Sequence, residues 1–98
     1  MMTNEQYLLT KLAEEGAEIA QIALKCQHFG LWETQPGRDL SNAQRLYGEL
    51  NDLLGVLEKM NEEVEGFEYV VDDAALEAKS QKIDFYRKYS QSLGLVEV

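Results

Sequence analysis

The stretch "KLAEEGAEIAQIAL", residues 11–24, sets the fold and poses its main problem. Leu12, Ile19 and Ile22 recur at helical spacing and extend a pattern begun by Tyr7 and Leu8, which predicts one helix over residues 4–28. Glu14, Glu15 and Glu18 lie in the same helix. With about 100° per residue and Glu15 at zero, Leu8, Leu12, Ile19 and Ile22 all fall within about 60° of it. Glu15 is therefore inside the apolar arc, Glu18 at its edge and Glu14 about 40° further out. A carboxylate on a core-facing surface costs free energy unless something compensates it.

The same arrangement recurs in "RLYGELNDLLGVLEKM", residues 45–60. Here Leu46, Leu53, Val56 and Met60 lie within about 60° of Glu49, and Asp52 sits at the edge of the stripe. Ser41 or Asn42 suits the cap of this second helix, which runs to about Glu63. Before it, "FGLWETQPGRDLS" (29–41) breaks the periodicity with two glycines and the only proline of the chain. After it, "EGFEYVVDD" (65–73) reads as a connector with room for a short extended piece. Asp72 or Asp73 then caps a third helix to about Ser92, where Gly94 suits the stop. Three helices and little strand signal give an all-α fold, a small helical bundle forming a single domain over residues 1–98.

Packed antiparallel, the first two helices would bring Glu15, Glu18, Glu49 and Asp52 together. Four like charges in a partly dry cleft raise each other's pKa or demand a counter-ion. The donors are all oxygen, which suits Mg²⁺, or Mn²⁺, better than zinc or copper. A di-iron bundle would want Glu-x-x-His pairs, and the only histidine, His28, is on no matching register. The competing reading is an ordinary surface network in which Lys11 pairs with Glu14 or Glu15 at helical spacing.

Charge narrows the partners. The chain carries 18 acidic and 9 basic residues, for a net charge of −9. That balance repels phosphate backbones and anionic lipid, so neither a nucleic acid polymer nor a membrane is expected as a partner. No apolar run is long enough to span a bilayer, and "MMTNEQYLLTK" lacks a signal-peptide layout, so a cytoplasmic location is expected. The single cysteine, Cys26, forms no disulfide framework.

"EEGAE" at 14–18 followed by "ELND" at 49–52 resembles the EExxE…ExxD signature of the MazG-like, all-α nucleotide pyrophosphohydrolases. The likeness covers residues 8–60 best. It implies that Glu15, Glu18, Glu49 and Asp52 hold Mg²⁺, and that Glu14 and Glu15 serve catalysis, Glu14 as a further ligand or by orienting the attacking water. It implies cleavage of nucleoside triphosphates between the α and β phosphates, giving a monophosphate and pyrophosphate. It further implies a homodimer or a tetramer, with a four-helix bundle completed across subunits. Two features depart from the family pattern: Gly48 stands where many members have a second Glu, and the linker between the motifs is long.

Lys79, Lys82 and Arg87 in "KSQKIDFYRKY" (79–89) look like the late-helix basic residues with which the family contacts a triphosphate, although an exposed helix carries lysines in any case. Trp32 and Phe29 could stack on a base or fill a subunit interface. Gly48 and Gly55 could leave clearance for substrate or allow close helix packing. Alternatives within the superfamily are a dUTP-type diphosphatase and a phosphoribosyl-ATP pyrophosphatase. From another class comes a non-catalytic helical dimer, an interaction module whose carboxylate cluster is residual.

Overall fold

The computed structural model describes all residues, 1–98, and its only regular secondary structure is helix. Helix α1 spans Asn4–Phe29, α2 Asn42–Glu63 and α3 Asp73–Ser92. Each start is fixed by local chemistry. Thr3 and Ser41 form capping boxes with Gln6 and Gln44, and the Asp72 side chain accepts from the Ala75 amide. The second connector forms no strand, although the backbone is extended at Val64 and Asp72. Asn61 pins that segment, donating to the Tyr69 carbonyl at 3.0 Å and accepting from the Tyr69 amide at 2.9 Å.

Helices α1 and α2 form an antiparallel hairpin. Asn4, at the start of α1, reaches Glu63, at the end of α2, across 3.1 Å. At the other end the chain turns through residues 30–41. Gly30, at φ 99°, ends α1 with its amide on the Cys26 carbonyl. The segment Gln35-Pro36-Gly37-Arg38 closes a β-turn, with the Arg38 amide 3.0 Å from the Gln35 carbonyl and Gly37 at φ 82°. Proline followed by a left-handed glycine is the type II pattern.

Asn42 locks this corner. It is fully buried, and its side-chain amide donates to the Gly30 carbonyl at 2.9 Å and to Glu33 Oε1 at 3.5 Å. Its backbone amide and that of Ala43 donate to the Glu33 and Leu31 carbonyls at 2.8 and 2.7 Å. The open amides at the start of α2 are thus satisfied by the loop that precedes it.

The core is small. Only Leu8, Ile22, Ala43 and Met60 are buried apolar residues. Leu8 and Met60 close the open end of the hairpin, Ile22 and Ala43 the loop end. Helix α3 packs against neither α1 nor α2. Leu76, Ile83, Phe85, Tyr86 and Tyr89 on it are all exposed. The radius of gyration is 17.3 Å, whereas a compact chain of this length has about 12.5 Å. The surface is 7914 Å², against about 5,700 Å² for a monomer of this mass.

Replacing Asn42 by Ala would leave the Gly30 carbonyl without its donor and loosen the corner. Asn42→Ala should cost about 1–3 kcal/mol in denaturant unfolding, and a loss within measurement error would show that the loop is held without it.

Candidate metal centre

Glu15 lies two helical turns from both Leu8 and Ile22, at the middle of the α1 seam, and Glu49 faces it from α2. Helical spacing alone places both on the inner surface, and the hairpin brings their edge neighbours with them. One carboxylate oxygen from each of Glu15, Glu18, Glu49 and Asp52 lies within 4.8 Å of the other three. All four residues that the paired motif singles out for a metal therefore converge. Glu14 does not join them; its carboxylate turns outward to Lys11 Nζ at 3.2 Å, the surface pair that the spacing allowed.

The cluster has no basic side chain to offset its charge. Glu15 Oε2 and Glu49 Oε2 are buried and have no hydrogen-bond partner. No lysine or arginine lies within ion-pair distance of any of the four carboxylates. Desolvation, followed by the negative charge of Glu18 and Asp52, raises the Glu15 pKa above its ordinary value. The Glu49 pKa is raised by a hydrogen bond shared with Glu18, which one proton must supply, and then by desolvation and the neighbouring charges. Two orphaned carboxylate oxygens in an all-oxygen donor set fit a hard divalent cation of the Mg²⁺ or Mn²⁺ type.

The cluster opens into a cleft of about 500 Å³ along the loop side of the hairpin. Glu18, Glu49 and Asp52 line one part of it, and Lys25, Arg38 and Arg45 line the rest. These three cations are functional candidates that sequence reasoning overlooked. Gly48 also lines the cleft, and a methyl group at Gly48 or Gly55 would meet nothing within 4 Å. Within the chain neither glycine serves close helix packing, and Gly48 instead widens the cleft beside Glu49.

The other expected ligands lie elsewhere. Lys79, Lys82 and Arg87 line a separate concavity of about 440 Å³ between α3 and Val96. Arg87 already pairs with Asp84 at 3.6 Å. Trp32 is 74% exposed on the loop and stays outside the cleft, as does Phe29. Cys26 is a half-buried free thiol.

No helix is long and apolar enough to cross a membrane. Comparison with family models, with curated proteins and with solved structures finds no match. The chemistry of the cleft is therefore the ground for a functional reading.

Because Glu15 and Glu49 bind a proton more tightly folded than unfolded, folding of the metal-free chain takes protons up at these groups. Their contribution to stability is greatest below the ordinary pKa of 4.5 and is lost as pH rises through the raised values. Glu49→Gln removes one of the charges without changing the shape of the side chain. Between about pH 5 and pH 8 the metal-free Tm of the wild type should fall relative to that of Glu49→Gln. A difference that stays constant with pH would show that the carboxylates are ordinary solvated groups.

Proposed function

We propose that the chain is a MazG-like, metal-dependent nucleoside triphosphate pyrophosphohydrolase. The observation that supports this most is the convergence of Glu15, Glu18, Glu49 and Asp52, one in-stripe and one edge carboxylate from each helix, around two buried oxygens with no partner. A structural role would leave that repulsion uncompensated at the centre of the only helix–helix seam.

The reaction adds water to the α-phosphorus and breaks the bond from that phosphorus to the oxygen bridging it to the β-phosphate. The products are a nucleoside monophosphate and pyrophosphate. Mg²⁺ bound at the cluster would supply neutralisation of the phosphate charge and polarisation of the scissile bond. Glu15 and Glu49, held by the seam, would fix the position of the ion, and Glu18 and Asp52 would close its sides. A carboxylate of the cluster would hold the attacking water and accept its proton. Glu14, paired with Lys11 outside the cluster, would act on that water only after turning from its pair.

Self-association belongs to this reading. The chain exposes roughly 2,200 Å² more than a compact monomer of its mass, an area in the range that obligate dimers bury. Its apolar part includes Leu76, Ile83, Phe85, Tyr86 and Tyr89 of α3 and Tyr47, Leu50 and Leu54 of α2. A second copy covering these faces would complete a four-helix bundle. The exposed apolar α3 also suits the second reading, a non-catalytic helical dimer with a residual cluster.

Pyrophosphate release from a panel of ribo- and deoxynucleoside triphosphates, with Mg²⁺ and with EDTA, separates the two. Wild type should release pyrophosphate only with the metal, Glu15→Gln should lose at least 100-fold in kcat as expected for removal of a ligand of the reaction centre, and Mg²⁺ alone should raise the wild-type Tm. No cleavage of any nucleotide and no shift in Tm would leave the interaction module standing. Light scattering should report a dimer or a larger oligomer, and Ile83→Asp on α3 should reduce its mass; a monomeric wild type would refute the assembly.

A further inference from the structure

The cleft beside the carboxylates contains an anion-binding half, and its composition is selective. Outside α3 the chain has five basic residues: Lys11, Lys25, Arg38, Arg45 and Lys59. Lys11 and Lys59 form surface ion pairs with Glu14, and with Glu62 and Glu63. The other three all line this one cleft, and none of them has a carboxylate within 4.0 Å. Lys79, Lys82 and Lys88 on α3 are unpaired as well, but only Lys25, Arg38 and Arg45 share a cleft with the carboxylates.

Their placement is built, not incidental. Lys25 follows Glu18 by two turns along the same edge of α1, and Arg45 precedes Asp52 by two turns along the facing edge of α2. Because the helices are antiparallel, both lie on the loop side of the carboxylates. Arg45 is half-buried and oriented by neutral groups: its Nη1 donates to Gln35 Oε1 at 3.1 Å and to Oδ1 of the fully buried Asn42 at 3.5 Å. The rest of the guanidinium has no partner within the chain. Arg38 is delivered to the same cleft as the last residue of the Gln35-Pro36-Gly37-Arg38 turn.

We propose that this is a two-ended site that takes a linear polyphosphate lengthwise. The carboxylate end receives the cation with its phosphate, and Lys25, Arg38 and Arg45 bind the non-bridging oxygens of the phosphates beyond it. Guanidinium groups match such oxygens in pairs, and the ammonium of Lys25 adds a point charge. Combined with the pyrophosphohydrolase reading, on which this orientation rests, the basic end holds the β and γ phosphates, the part that leaves as pyrophosphate. The site then favours triphosphates over diphosphates and monophosphates, because each further phosphate gains contacts with Lys25, Arg38 and Arg45 at the basic end.

Binding of inorganic tripolyphosphate, measured by titration calorimetry in Mg²⁺, tests the anion half without requiring catalysis. Arg38 is exposed and its side chain has no internal hydrogen bond, so Arg38→Ala should fold normally. Arg38→Ala and Lys25→Ala should each weaken tripolyphosphate at least tenfold, and Arg38→Lys should recover part of the loss. Unchanged affinity in both alanine variants overturns the proposal, whatever Lys82→Ala on α3 does. If the wild type binds tripolyphosphate through Arg38 yet cleaves no nucleotide, the hydrolase reading fails while the anion site stands. If it cleaves nucleotides with the same KM in wild type and Arg38→Ala, the hydrolase reading stands and the anion site fails.

Discussion

Four carboxylates crowd the middle of the only seam between helices, and the rest of the hairpin is arranged around that repulsion. Leu8 with Met60 and Ile22 with Ala43 close the seam at its two ends, so apolar packing brackets the charged layer. An acidic layer between two apolar ones is a poor way to stabilise a hairpin and a good way to present ligand atoms at fixed spacing. The side chains are carried on helices, not on loops, so the 4.8 Å grouping is held by backbone geometry rather than by neighbouring hydrogen bonds.

The corner between α1 and α2 supplies the rigidity that the thin core does not. Asn42 ties the loop to the start of α2 through side chain and backbone together, and it also orients Arg45. One buried amide therefore sets both the approach of the helices and the position of a cation beside the carboxylates. The type II turn at Pro36-Gly37 adds Arg38 to the same edge. Fold and site share residues here, which is why the cleft is charged yet well defined.

Much of this was legible in the amino-acid order. The three helices, the starts of α2 and α3 to within one residue, and the in-stripe positions of Glu15 and Glu49 follow from periodicity and short-range chemistry; which neighbour caps, Ser41 rather than Asn42 and Asp72 rather than Asp73, is settled by the fold. The edge carboxylates Glu18 and Asp52 follow from the same projection. Lys25, Arg38 and Arg45 did not, because no common spacing links them; only the loop fold brings them to one cleft. Pro36-Gly37 did mark a turn, but its direction depends on Asn42. The attention given to Lys79, Lys82 and Arg87 came from resemblance, and the hairpin leaves them on a helix that it does not touch. An amphipathic pattern states that a face wants cover and never names the surface that covers it, so the separation of α3 could not be read in advance.

The capping boxes at Thr3 and Ser41 have a kinetic consequence. Each helix begins on contacts spanning three residues, and the corner closes through partners nine to twelve residues apart. Such short loops form early and quickly, well before distant segments meet. Glu15 and Glu49 are the exception: docking of the two helices brings them together, so closing that middle layer is linked to the uptake of protons or a cation there.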